Sequence, residues 1–248
     1  MKKSRLAKIL TLSLAAVMVF SLASCGGSSS DTGDKDITVI SREEGSGTRD
    51  AFTELTGILK DDVDRTVDTA EISNSTSVVT QSVAGNDAAI GYISLGSLDD
   101  SVKAVKVDGT EASVDTVKSG DYKLQRPFNI VTKGEVAELP QDFINFIMSK
   151  DGQKIIEDEG YIAANENAGD YKASGLTGTI TLAGSTSVSP VMEVLADKYK
   201  ELNSGVTIEI QQTGSGAGIQ STIEGVCDIG MASRALADDE ASQGLTSQ

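Results

Sequence analysis

Apolar positions along the chain switch repeatedly between a two-residue and a three-to-four-residue period, and each switch marks a change of element. Residues 37–40 (ITVI) read as a strand, and a Gly/Ser turn at 44–48 leads into a helix carrying Phe52, Leu55 and Leu59 on one face. Residues 88–95 (AAIGYISL) predict a buried strand, and 102–107 (VKAVKV) alternate cleanly before the turn signal Asp108-Gly109. A strand at 128–132 follows Arg126-Pro127, and Phe143, Ile144, Phe146, Ile147 and Ile155 then mark helical turns. Residues 165–175 are polar and rich in Gly, Ala and Asn, as an internal linker would be. Beyond them the pattern restarts with a strand at 179–182, a turn at 184–189 and a helix from Pro190. Ser189 is placed to cap that helix, and Val191, Val194, Leu195 and Tyr199 form its buried face. A strand at 206–210 and a glycine turn at 214–218 lead into a helix with Ile219 and Ile223. This alternation predicts an α/β protein built on a parallel or mixed sheet.

The first 25 residues follow a different rule. Lys2, Lys3, Arg5 and Lys8 precede a nearly unbroken apolar run at 9–20. That run is short for a membrane span and right for the core of an export signal. The segment ends Leu22-Ala23-Ser24-Cys25, which resembles the lipobox of bacterial lipoproteins, so Cys25 is expected to carry lipid after removal of residues 1–24. Residues 25–36 read as a flexible tether. The chain is thus expected to work on the outer face of the cell membrane, held there by its lipid alone.

Composition removes whole classes of function. The chain has no histidine, which excludes Ser–His–Asp and Cys–His catalysis and every His-ligated metal site. Its net charge of −16 disfavours nucleic acid, and Cys25 and Cys227 are the only cysteines. Asp61, Asp62 and Asp64, and likewise Asp238, Asp239 and Glu240, lack the ligand spacing of a calcium loop and read as solvated faces. No metal or cofactor is expected.

Three turns share one chemistry. EGSGTRDAF (44–52), AGSTSVSP (183–190) and TGSGAGIQ (213–220) each place Gly and Ser/Thr between a strand and a helix N-terminus. Free backbone N–H groups and the positive end of the helix dipole favour an anion there. If the turns converge, they form a cage of neutral donors beside Arg42. None matches the phosphate loop of nucleotide-binding proteins, which needs a lysine after its glycines.

Four segments carry a resemblance to a known family: SREEGSGTRDAF (41–52), AIGYISLG (89–96), GTITLAGSTSVSPVMEVLADKY (178–199) and TGSGAGIQSTIEGVCDIGMASR (213–234). Together they are similar to the phosphate-binding lipoproteins of bacterial high-affinity phosphate ABC transporters. The resemblance implies a two-lobed periplasmic-binding-protein-like fold (type II) that captures inorganic phosphate for a membrane permease, with no chemistry on the ligand. The family usually begins with the AGSTSVSP-like segment, whereas here the SREEGSGTR-like segment comes first. The chain is therefore expected to be circularly permuted, with 161–177 joining the former ends. Residues 37–127 would form one lobe and 128–248 the other. The first lobe is expected to be incomplete, because the family continues past the DIGMASR segment.

Carried over position by position, the resemblance implies that Arg42 pairs with phosphate and is held by Glu44. Ser46, Gly47, Thr48, Thr186, Ser187 and Ser215 would donate to the anion. Near the position of Ser233, the family's best-studied members place an aspartate that accepts the proton of hydrogen phosphate and repels sulfate; this chain has Ser233-Arg234 there. Sulfate, molybdate or tungstate is the alternative ligand, and a surface sensor without transport is the alternative role. A phosphoester hydrolase would need a nucleophile with a base, or a metal pair.

Overall fold

The computed structural model describes residues 36–248, so the leader, the lipobox at Cys25 and most of the tether lie outside the described residues. Among the described residues, no helix is long and apolar enough to cross a membrane.

The chain after the tether opens with β1 (Thr38–Arg42), α1 (Gly47–Leu55), the short strands β2 (Leu59–Lys60) and β3 (Val63–Asp64), then β4 (Glu71–Ser73), α2 (Thr76–Ala84) and β5 (Ala89–Ile90). β1 is central in a three-stranded parallel sheet, between β4 and β5. Parallel neighbours need crossovers, and α1 and α2 supply them. β2 and β3 form a separate hairpin whose turn residues Asp61 and Asp62 both have positive φ (53° and 60°). Aspartate tolerates that conformation better than most residues, which gives these two acidic positions a local structural role. Asp64 closes the hairpin onto α1 by accepting from Arg49 Nη2 at 2.7 Å.

A short helix, α3 (Val114–Lys118), stands between the two sheets in sequence. β6 (Asn129–Lys133), α4 (Glu138–Ile147), α5 (Lys150–Asp158), β7 (Gly178–Gly184), α6 (Ser189–Leu202), β8 (Val206–Gln212), α7 (Ser215–Glu224), β9 (Ile229–Ala232), α8 (Asp238–Ala241) and β10 (Leu245–Ser247) then build a five-stranded sheet. Its order is β10-β6-β9-β7-β8, with β7 parallel to both β8 and β9, and β6 antiparallel to β9 and β10. The principal core lies on this sheet: Ile180 and Leu182 of β7, Ile229 and Met231 of β9, the Phe143/Phe146 face of α4, and Leu195 and Tyr199 of α6 are all buried.

Residues 165–175 form no regular element and run over the outside of this core. They are fixed by the Asp142 carboxylate, which accepts from Tyr171 Oη at 2.6 Å, Tyr199 Oη at 2.7 Å and Ser174 Oγ at 2.9 Å. Burial, with Asp142 second, pushes the Tyr199 phenol above its usual range.

Several elements differ from the sequence expectation. Leu59 leaves the α1 face and enters β2, because α1 ends at Leu55. The strand expected at 88–95 shrinks to Ala89–Ile90, and Ile90 is exposed. Residues 102–107 form no strand and make only the Val107–Thr110 bridge around the Asp108-Gly109 turn. Their alternation has no neighbouring strand to pair with, and an isolated strand has no stability of its own. Ser189 is the first residue of α6, not its cap, and its hydroxyl donates to the Ser185 carbonyl at 2.9 Å.

Candidate functional site

Strand ends bring the chemistry together. β1 and β4 of the three-stranded sheet, and β7, β8 and β9 of the five-stranded sheet, all end at one place with their following turns. Ligands of open α/β sheets bind at such carboxyl ends, where helices begin. Two glycines allow the approach. A Cβ on Gly184, where φ is 146°, would lie 2.1 Å from the Met231 carbonyl oxygen, and one on Gly218 would lie 2.4 Å from Gly184 Cα. The start of α7 therefore packs on the end of β7 backbone to backbone, and Ser215 reaches Ser233.

Arg42 ends β1 and is 1% exposed. A buried guanidinium is tolerated only with partners for its N–H groups, and here nearly all are engaged. Nε donates to the Ser73 carbonyl at 3.0 Å, Nη1 to Thr76 Oγ1 at 3.3 Å and Nη2 to Thr186 Oγ1 at 3.0 Å. Glu43 takes the fork, with Oε2 at 3.0 Å from Nε and Oε1 at 3.1 Å from Nη2. This corrects the expectation for Glu44: the adjacent residue Glu43 is the carboxylate that pairs with Arg42. Beneath them, the Tyr92 hydroxyl accepts the Arg42 backbone N–H at 3.1 Å, and the Tyr92 ring stacks on Phe52 at 4.1 Å. The strand end is thus held from below as well as from the side.

The hydroxyls converge on the same spot. Ser46 caps α1 by accepting from the Arg49 N–H, and Gly47 begins that helix. Thr48 Oγ1 pairs with Ser187 Oγ at 2.8 Å and lies 3.4 Å from Ser233 Oγ. Ser233 Oγ also meets Ser185 Oγ at 3.1 Å and Ser215 Oγ at 3.2 Å. A Cβ on Gly47 would fall 2.7 Å from Ser215 Oγ and 2.8 Å from Ser233 Oγ, which places the first turn directly against the third. The structure therefore gathers Arg42, Gly47, Thr48, Thr186, Ser187, Ser215 and Ser233 in one cluster, with Ser46 buried at its edge.

Two members were not read from the sequence. Thr76 opens α2, and its Oγ1 lies 3.0 Å from both Thr186 Oγ1 and Ser187 Oγ. Ser185 accepts the Ser187 N–H at 3.2 Å. The signal for Thr76 was present: Asn74-Ser75-Thr76 precedes the apolar pair Val78-Val79, a helix-start pattern without glycine. The cage therefore has the N-termini of α1, α2, α6 and α7 around it, four positive dipole ends in an acidic chain.

Outside the cage, Arg234 joins the two sheets. Its Nε lies 3.2 Å from Asp50 Oδ2 of α1, while Nη2 pairs with Glu240 Oε1 at 2.7 Å. Burial raises the Asp50 carboxyl despite this cation, whereas hydrogen bonding to Arg234 lowers Glu240. Arg126 also pairs with Glu54 of α1. Among the described residues, no carboxylate hydrogen-bonds to a cage hydroxyl, so the serines have no base to activate them. The arrangement can hold an anion; it contains no nucleophile–base pair.

Fold and site together define an α/β binding protein of the periplasmic-binding-protein kind, and the PBP superfamily domain indeed matches residues 5–151 and 169–248. The chain is 50% identical over 240 residues to phosphate-binding protein PstS 2 of Streptococcus pneumoniae, a match covering 94% of this chain and 82% of that protein. It is 48% identical over 251 residues to phosphate-binding protein PstS 2 of Streptococcus agalactiae, covering 99% and 85%. Within the PBP superfamily, the chain belongs to the family of PstS phosphate-binding proteins. The crystal structure of a phosphate-binding protein of a phosphate ABC transporter from Streptococcus pneumoniae superposes with a TM-score of 0.69 at 52% identity, over 86% of this chain and 84% of that one.

Proposed function

We propose that the cage binds inorganic phosphate and that the protein delivers it to the permease of an ABC transporter, without chemical change to the ligand. The observation that carries this reading is Arg42: a buried cation whose Nη groups meet the hydroxyls of Thr76 and Thr186 from opposite sheets. Arg42, Ser46, Gly47, Thr48, Thr186, Ser187, Ser215 and Ser233 are the proposed contacts, with Glu43 orienting the guanidinium. Residues 37–127 and 128–248 act as two lobes closing on the anion, and a lipid on Cys25 holds the protein at the outer face of the membrane.

The relatives' names support phosphate as the ligand, and the lack, among the described residues, of a carboxylate on the cage hydroxyls favours binding over hydrolysis. The test is thermal unfolding with and without phosphate at matched ionic strength. Phosphate at ~100 times its dissociation constant adds about 2.7 kcal/mol to stability, which raises the melting temperature visibly. Arg42→Lys keeps the charge but loses the planar fork, and should weaken phosphate roughly a hundredfold. A wild-type melt indifferent to phosphate would overturn the proposal.

A further inference from the structure

The cage is unusual in what it lacks as an acceptor. Its hydroxyls belong to Thr48, Thr76, Ser185, Thr186, Ser187, Ser215 and Ser233. They pair with one another in Thr48–Ser187, Thr48–Ser233, Thr76–Thr186, Thr76–Ser187, Ser185–Ser233 and Ser215–Ser233. Each such pair consumes one hydroxyl proton, so this set has more protons than pairs to spend them on. No backbone carbonyl or carboxylate among the described residues accepts from any of the seven hydroxyls. The N–H groups entering the set add to the surplus: Arg42 Nη1 donates to Thr76, Arg42 Nη2 to Thr186, Ser187 N to Ser185, and Ser233 N to Ser215.

Ser233 shows the consequence most clearly. Ser185 Oγ already accepts the Ser187 N–H at 3.2 Å, and its own proton points to Ser233 Oγ at 3.1 Å. Ser215 Oγ likewise accepts the Ser233 N–H at 3.1 Å and stands 3.2 Å from Ser233 Oγ. With Ser185 and Ser215 turned as donors, the two lone pairs of Ser233 are filled, and its own proton goes to Thr48 Oγ1 at 3.4 Å or outward. In the first case the surplus proton is passed along the Thr48–Ser187–Thr76–Thr186 chain and leaves from there. Where one neighbour turns round, that neighbour's proton is the one sent outward instead.

The charged groups around the cage do not supply the missing acceptor. Glu43 is committed to Arg42, Asp64 to Arg49 and Thr66, and Glu240 to Arg234 and the Ala237 N–H. Asp50 faces Arg234. The chain has no histidine to titrate there.

We propose that this cage does not read a proton on its ligand, and that it takes tetrahedral oxyanion dianions of the sulfate type alongside hydrogen phosphate. The inference rests on the phosphate-site reading above and narrows it. A hydroxyl can turn to donate to a bare oxygen or to accept from a protonated one, at a net cost or gain near 1 kcal/mol either way. Only a fixed carboxylate would make the bare dianion several kcal/mol worse, through like-charge repulsion.

Calorimetric titration of the wild-type protein with inorganic phosphate, then with sulfate alone and in competition, separates the cases. At about pH 8 phosphate is largely the hydrogen phosphate dianion, so the two ligands differ chiefly by one proton. The expected result is competitive sulfate binding within about thirtyfold of phosphate. Ser233→Asp should then lower sulfate affinity by about a hundredfold or more while lowering phosphate affinity much less. Phosphate binding with no competition from sulfate would overturn this inference and leave the phosphate proposal standing. Binding of sulfate without phosphate would overturn the phosphate proposal and leave an aprotic oxyanion site. Binding of neither would overturn both. The wild-type competition decides the matter even if the aspartate variant does not fold.

Discussion

Gly47 and Gly184 are both glycines at crowded places, yet their neighbours differ in kind. A Cβ at Gly47 meets serine side chains, Ser215 Oγ at 2.7 Å and Ser233 Oγ at 2.8 Å, which can rotate away. A Cβ at Gly184 meets the Met231 carbonyl at 2.1 Å and also faces a φ of 146°, and neither can relax cheaply. Gly47→Ala should therefore keep most of its stability and lose roughly tenfold or more in phosphate affinity, because it displaces two cage hydroxyls. Gly184→Ala should cost more than about 2 kcal/mol in urea unfolding. Equal stability losses in the two variants would contradict this distinction. The sequence marked both glycines as turn residues, but it could not say which one faced side chains and which one faced backbone. The same limit explains the Glu43 correction: Glu43 and Glu44 are chemically identical, and only the exit angle of β1 decides which carboxylate meets Arg42.

At the scale of elements, legibility followed pairing. The strands at 178–184 and 206–212 and the helices after them were readable because long apolar patterns and glycine turns agree there. β9 went unread: Ile229-Gly230-Met231-Ala232 is short, carries a glycine and is buried on every side, so it shows no alternation. The segment at 102–107 alternates and yet finds no neighbouring strand. The linker at 165–175 was readable as irregular, but its attachment was not, because Asp142, Tyr171, Ser174 and Tyr199 are distant in sequence. That attachment carries weight. Asp142→Ala leaves the buried Tyr199 hydroxyl without its carboxylate and frees Tyr171 and Ser174, and should cost about 3 kcal/mol in denaturant unfolding. A loss below about 0.5 kcal/mol would show that the linker is held by the Phe146–Tyr171 aromatic contact at 5.2 Å instead.

Across the whole molecule, burial is unevenly shared between the two sheets. The five-stranded sheet holds a continuous apolar core, whereas on the three-stranded sheet and its helices only Ile40 and Val79 are buried hydrophobic residues. Leu55, Val63, Ile72, Val78 and Ile90 on that side are exposed. At about 25 cal/mol per Å² of buried apolar surface, the smaller sheet contributes little stability of its own. What ties it down is the site and the ion pairs beside it: the Arg42 and Thr76 bonds to Thr186, the Thr48 bond to Ser187, the Gly216 N–H on the Gly45 carbonyl at 3.0 Å, and the Arg234–Asp50 and Arg126–Glu54 pairs outside the cage. Native-state hydrogen exchange should therefore find β1, β4 and α2 opening at lower free energy than β7, β9 and α6. An anion held by Arg42, Thr48 and Thr76 on one side and Thr186, Ser187 and Ser215 on the other adds bonds between the two sheets. Phosphate should then protect β1 and α2 first, and narrow the gap between the two sets of amides. Exchange at one uniform free energy before phosphate is added would mean that residues 36–248 unfold as a single cooperative unit, with the smaller sheet held by more than the site.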